Sequence, residues 1–223
     1  WLKAGYLERK VLHPTAEGTP QGGIVSPTAA NMALDGLERR LYKRFKSHQK
    51  VNLVRYADDF IITGVSRALL DDEVKPLVMR FLTERGLALA EEKTRIVHVD
   101  EGFDFLGFNF RKYNGTLLIK PAKSSIAAVK EKARDIFKTG STLPQGVLIQ
   151  RLNPVLRGWG NYYRHVVSKD TFCDIDHAIW RMTWNWAIRR HPQKGRRWIK
   201  ERYFDHKEGR DWVFTDGSVT LFR

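Results

Sequence analysis

Two adjacent carboxylates, Asp58 and Asp59, stand between two strongly apolar runs, Val51-Asn-Leu-Val-Arg55 and Phe60-Ile-Ile-Thr-Gly64, directly after Tyr56-Ala57. Both runs have the composition of short strands, so the stretch reads as a hairpin with the acids at its tip. Within a regular strand, neighbouring side chains point to opposite faces, so two adjacent acids in an apolar hairpin would place one charge in the core. At a tip both can lean toward one cation. Hard divalent cations take carboxylate oxygens, and two held this way suit nucleotidyl transfer: they activate a 3′-hydroxyl and stabilise the leaving pyrophosphate. Taken alone, an Asp-Asp pair equally describes a solvated turn, where Asp is common.

Three other groups of residues could do chemistry. Residues 15–27 hold three Gly and two Pro, which predicts a specific loop around Gly18-Thr19-Pro20-Gln21-Gly22-Gly23. Arg157, Trp159, Asn161, Tyr162, Tyr163 and Arg164 form the densest basic–aromatic cluster. Trp159 and Tyr162 are expected to be buried there, and Arg157 and Arg164 to contact phosphate. Lys194, Arg196, Arg197 and Lys200 make a basic run that is either a solvated face or, beside a nucleic acid, a backbone contact. Lys93 follows Glu91 and Glu92 and by itself reads as a surface ion pair. The lone Cys173 excludes an internal disulfide framework and a Cys-based zinc module, and points to a reducing, cytosolic setting. His13, His48, His98, His165, His177 and His206 show no ligand spacing.

The elements that must position these groups follow from periodicity. Ser26-Pro27 reads as an N-cap with Pro at N1, opening a helix with Leu34, Leu37, Leu41 and Phe45 on one face, to about Lys46. After the hairpin, residues 66–85 are predicted helical, with Pro76 marking a kink or a late start and Gly86 a stop. Short strands are predicted at Leu87–Leu89, Thr94–Val99 and Phe103–Phe110, and at Leu117–Lys120 after the Asn114-Gly115 turn. From Pro121 three amphipathic helices are expected: one through Ile126 and Phe137, one from Val147 to about Leu156, and one from Asp174 to Arg190 with Trp184 and Trp186 in the core. The fold class is therefore α+β, an antiparallel sheet with helices over residues 1–120, then an all-helical domain over 121–204 and a tail over 205–223.

Composition narrows the partner. At 223 residues and 42% hydrophobic content the chain can bury a core, and no apolar run approaches the roughly 20 residues that span a bilayer. The net charge is +14 and is uneven: residues 1–112 carry 18 Lys+Arg against 15 Asp+Glu, residues 113–223 carry 21 against 10. Six of the seven Trp also lie in the second part. Cations interleaved with aromatic rings favour a polyanion, with phosphates neutralised and bases packed on ring faces.

Taken together, five blocks resemble the reverse transcriptases of group II introns. Tyr56-Ala57-Asp58-Asp59 resembles the YxDD signature. Gly18 to Pro27 is similar to the loop-and-helix block that precedes it. Gly86-Leu87-Ala88-Leu89 through Glu92-Lys93-Thr94 resembles the next block, and Phe105-Leu106-Gly107-Phe108 the primer-grip hairpin. Arg157-Gly158-Trp159-Gly160-Asn161-Tyr162-Tyr163 resembles the thumb, or maturase, signature. The order is the family's, across about residues 15–204.

The resemblance implies a partial palm (1–120) followed by a helical thumb/maturase domain (121–204), acting as an RNA-directed DNA polymerase that also assists intron splicing and retrohoming. It implies Mg²⁺ on Asp58, with Asp59 in a lesser role. Tyr56 and Ala57 would lie near the primer terminus, and Gln21 and Gly22 near the incoming dNTP or the template. Lys93 would be a proton donor to pyrophosphate, and Phe105, Leu106 and Gly107 would meet the primer. Arg157, Arg164, Lys194, Arg196 and Arg197 would meet RNA template, DNA primer or intron RNA. The implied setting is cytoplasmic, and a nucleoid or organelle fits equally; no membrane is implied.

The family's third metal carboxylate comes from a block upstream of the Gly18 loop, and here only Glu8 precedes Thr15. Trp1 in place of an initiator Met suggests a piece of something longer. The polypeptide alone is therefore expected to be inactive in primer extension, with the fingers and first palm strand either truncated or supplied by a second chain. Two alternatives stay open: a non-catalytic RNA-binding maturase, and a bacterial reverse transcriptase outside introns, tied to CRISPR or phage defence.

Overall fold

The computed structural model describes the backbone of residues 6–8, 11–13, 26–207 and 209–222, and side chains from residue 27 onward within them. The chain is mixed α+β, with small antiparallel sheets and helices first and a helical bundle after. It divides into two compact units, 1–98 and 99–223.

In the first unit, strands β1 (Tyr6–Glu8) and β2 (Val11–His13) pair antiparallel. The helix expected to reach Lys46 is two helices, α1 (Ser26–Leu34) and α2 (Leu37–Arg44). Gly36 interrupts it at φ +85°, a left-handed conformation that only glycine adopts cheaply. The break turns Leu37 and Leu41 into the core while Tyr42 stays in solvent. Strands β3 (Asn52–Tyr56) and β4 (Asp59–Thr63) form the expected hairpin.

The next helix opens at Arg67–Ala68, widens into a π turn over Leu69–Val74 and continues as α3 (Lys75–Thr83). Pro76 accounts for the widening and not for a late start: it has no N–H to donate one turn back, and its ring would crowd the carbonyl there, so the turn before it opens. Phe81 is the largest fully buried side chain of this unit. The Arg85 and Arg40 guanidinium groups stand 3.6 and 5.3 Å from its ring centre, and Arg40 pairs with Glu84 at 2.9 Å. That hydrogen bond holds the Glu84 carboxyl below its ordinary range.

The strands expected at Leu87–Leu89 and Thr94–Val99 are not strands. Their backbone donors are used locally: Leu87 N–H donates to Leu82 C=O and closes α3, and Thr94 N–H donates to Ala90 C=O. Without a neighbouring ladder, β propensity does not become a strand.

In the second unit, β5 (Phe103–Phe105), β6 (Phe108–Tyr113) and β7 (Thr116–Pro121) form a three-stranded meander. Helix α4 (Lys123–Thr139) follows. Helix α5 (Gln145–Tyr163) is longer than expected and runs through Pro154. Pro154 and Gln150, whose carbonyl loses its helical partner, are both exposed, where the loss costs least. Helix α6 spans Lys169–Arg190 and α7 Arg196–Tyr203. The tail is folded: β8 (Phe204–Lys207) and β9 (Arg210–Phe214) pair and bury Phe204, Val213, Phe214 and Leu221. The buried Gln145 side chain fastens this hairpin by donating to the carbonyls of Tyr203 and Thr215 at 2.8 and 3.0 Å. Trp186 is core, donating to Gly140 C=O at 3.0 Å, while Trp184 is half-buried against it.

Candidate functional site

The β3–β4 hairpin sets the acids by register. Leu53 pairs with Ile62 and Arg55 with Phe60, and Leu53, Phe60 and Ile62 pack against the core of the first unit. Directly paired residues share a face, so the alternate positions Val54, Tyr56 and Asp59 lie on the outward face. A two-residue turn, Ala57-Asp58, closes the ladder at the Tyr56–Asp59 pair. Asp58 and Asp59 are both exposed. The acids therefore sit in solvent at a tip whose root is held by apolar packing.

The turn is braced by a residue that sequence reasoning did not single out. Arg55 Nη1 donates to the Ala57 carbonyl at 2.9 Å and to Asn31 Oδ1 of α1 at 2.8 Å. This ties the acid turn to α1. The brace is needed because Ala57 has φ +52°, where a Cβ is disfavoured. Replacing Arg55 by Ala is expected to raise amide exchange at Ala57–Asp59 about tenfold, the loss of roughly 1.4 kcal/mol of hydrogen bonding, without moving exchange in α3. Unchanged protection at the turn would show that Arg55 does not hold it.

Lys93 is exposed in the short turn Glu91–Lys93 of the same unit. Gln21 and Gly22 lie outside the described residues.

A second group forms in the other unit, around the β5–β6 turn. Leu106 and Gly107 are left-handed, at φ +51° and +80°. Tyr162 Oη donates to the Leu106 carbonyl and Tyr163 Oη to the Gly107 carbonyl, each at 3.0 Å. The Tyr163 bond belongs to a directed chain: Trp159 Nε1–H donates to Ser125 Oγ at 3.2 Å, and the Ser125 hydroxyl, 2.6 Å from Tyr163 Oη, donates in turn. A Cβ at Gly107 would lie 2.6 Å from Tyr163 Oη, so only glycine fits. The ring of Phe108 stacks on Tyr162 and meets Tyr163 edge-on. Phe105 is half-buried in β5.

The tyrosine pair thus corrects one expectation. Tyr162 is 48% exposed and Tyr163 only 3%, so the second ring, not the first, enters the core; Trp159 is half-buried. One step along a helix turns a side chain by about 100°, and α5 docks with position 163 inward.

The basic residues are on the surface. Arg157 is exposed, with its guanidinium 5.4 Å from the Phe222 ring centre. Arg164 is exposed beside a cavity. The Lys194 ammonium stands 5.4 Å from the Trp198 ring. Arg196 and Arg197 open α7, and Arg197 pairs with Glu201 at 2.9 Å.

Oxygen donors of adjacent exposed carboxylates suit Mg²⁺, which is held by one or two carboxylates together with substrate phosphates rather than by an all-protein cage. Among the described residues no group of three or more His, Cys, Asp or Glu could enclose a metal by itself. No helix among them is long and apolar enough to cross a membrane.

Residues 2–110 match the family described as "Reverse transcriptase (RNA-dependent DNA polymerase)". Residues 126–204 match "Group II intron, maturase-specific domain". The Group II intron-encoded protein LtrA of Lactococcus lactis is 29% identical over 177 residues, covering 52% of this chain and 30% of the relative. Protein YkfC of Escherichia coli is 28% identical over 138 residues, covering 48% and 35%. The putative COX1/OXI3 intron 2 protein of Saccharomyces cerevisiae is 27% identical over 164 residues, covering 49% and 19%. The chain spans about a third of the length of the first two relatives.

Proposed function

From a chain that belongs to the group II intron reverse transcriptase/maturase family, we propose the palm-and-thumb portion of an RNA-directed DNA polymerase that also assists splicing and mobility of its intron RNA. The observation that carries the reading is the tip of an apolar-rooted hairpin that holds Asp58, in the turn, and Asp59, the first residue of β4 on the outward face, side by side in solvent. A surface bend without a task would not need the Arg55 brace to keep Ala57 left-handed.

In this reading Asp58 and Asp59 hold Mg²⁺, and a third carboxylate comes from outside the described residues. The bound ions supply activation of the primer 3′-hydroxyl and neutralisation of pyrophosphate charge. The chain's own residues position and exchange protons. Tyr56, on the outward face beside Asp59, and Ala57 lie near the primer terminus, where the small Ala57 methyl leaves room for the nucleic-acid backbone. Gln21 and Gly22 contact the nucleotide or template, and Lys93 donates a proton to the departing pyrophosphate. Phe105, Leu106 and Gly107, fixed by Tyr162 and Tyr163, bear on the primer strand. The functional division is proposed near Lys120, between the two matched regions.

Arg157, Arg164, Lys194, Arg196 and Arg197 contact RNA phosphates. Arg196 and Arg197 stand at the N-terminus of α7, where cations are opposed by the helix dipole, and their repulsion is relieved by a bound anion. RNA affinity should therefore fall log-linearly with salt. Replacing Arg157 or Arg196 by Gln should reduce the slope of that line by about 0.7 to 1 each, measured by anisotropy with a labelled single-stranded RNA. A salt-independent affinity would sink the phosphate assignment.

A further inference from the structure

A cavity of about 220 Å³ opens in the helical unit beside the Arg157–Arg164 motif. Its lining includes three half-buried aromatic side chains, Trp159, Phe172 and Phe222, and three polar ones, Asn161, Arg164 and Asp176. Trp159 and Phe172 meet edge to face, with ring centres 5.8 Å apart. Trp159 is fixed by its bond to Ser125, and the Arg157 guanidinium stands 5.4 Å from the Phe222 ring centre. The space therefore has rigid, flat, apolar sides. Among the described residues the exposed Asn161 amide and Arg164 guanidinium have no side-chain partner.

We propose that this cavity receives one unpaired nucleobase of a bound RNA, which rests on the RNA-binding reading given above. Size argues first: the space suits one planar ring system and is smaller than the roughly 300 Å³ or more that a drug-sized ligand needs. Chemistry argues second. Unpaired bases are recognised by aromatic stacking together with hydrogen bonds to their edges. Asn161 offers a donor and an acceptor, and Arg164 offers donors for an edge or for the adjoining phosphate. A purely aliphatic ligand would leave both polar groups unused. Charge argues third, since residues 113–223 carry 21 Lys+Arg against 10 Asp+Glu and draw a polyanion to this unit.

The test uses the 223-residue protein and two labelled RNA hairpins, one with a single bulged adenosine and one with an abasic residue at the same place. Anisotropy at physiological salt should show about tenfold tighter binding of the bulged adenosine, the contribution of a stacked base. A Cβ at Gly160 meets only the Phe222 ring, at an ordinary 3.5 Å, so Gly160→Leu can fill the cavity from α5. It should erase the preference and leave affinity for the abasic hairpin unchanged. Asn161→Ala, at an exposed position, should reduce the preference and serves if circular dichroism shows Gly160→Leu unfolded. Equal binding of the two hairpins by the unaltered protein, or a preference that survives in folded Gly160→Leu, would overturn the pocket while the RNA-binding reading stands. Failure to bind either hairpin would overturn both.

Discussion

Replacing Asp58 by Ala is expected to lower single-turnover cDNA synthesis about a thousandfold or more in a protein that includes the third carboxylate. A metal that activates the nucleophile and neutralises the leaving group supplies several kcal/mol, and each 1.36 kcal/mol is a factor of ten. Asp59→Ala should cost less, in keeping with a supporting ligand. Both acids are exposed at a hairpin tip, so neither change disturbs the core, and thermal unfolding should be unaltered within about 0.5 kcal/mol. RNA affinity should hold or rise slightly, because a negative charge is removed. Splicing assistance should persist, since the tyrosine-held turn and the basic residues lie in the other unit. Primer extension at the unaltered rate in Asp58→Ala would sink the polymerase assignment and leave an RNA-folding protein.

The second large effect is on stability. Phe81→Ala should destabilise the first unit by about 3–5 kcal/mol, from lost burial and the residual cavity. The two flanking guanidinium groups add roughly 0.5–1 kcal/mol each through the ring face. A unit of this size has about that much stability in total, so its cooperative unfolding should move close to zero urea. The consequence is local, because the helical unit has its own core around Leu148, Ile149 and Leu152. Six of the seven Trp lie in 99–223, Trp1 alone falling in 1–98, so most of the Trp fluorescence should be unchanged, while amide exchange across α2 and α3 accelerates. Retention of full protection in α3 would mean that Phe81 does not anchor this core.

Much of the candidate site was legible because its determinants are local. Short apolar, β-rich runs on either side of Tyr56-Ala57-Asp58-Asp59 leave few alternatives to a hairpin, and the strands formed at Asn52–Tyr56 and Asp59–Thr63. The apolar spacing of the later helices carried in the same way, though α5 ran on from the expected end near Leu156 to Tyr163. Leu87–Leu89 and Thr94–Val99 misled for the opposite reason: a strand needs a partner, and propensity does not supply one.

What residue order alone determined here was the presence of two acids at an apolar hairpin tip and a basic, tryptophan-rich helical part after them. Each is written in neighbours a few positions apart. Tertiary structure alone decided that Arg55 braces the turn through Asn31, 24 residues away, and that Gln145 clamps the folded tail. It also decided that Tyr163 turns inward while Tyr162 holds Leu106. These depend on which face of a helix docks and on hydrogen bonds between distant segments, and neither quantity has a period that a linear chain displays.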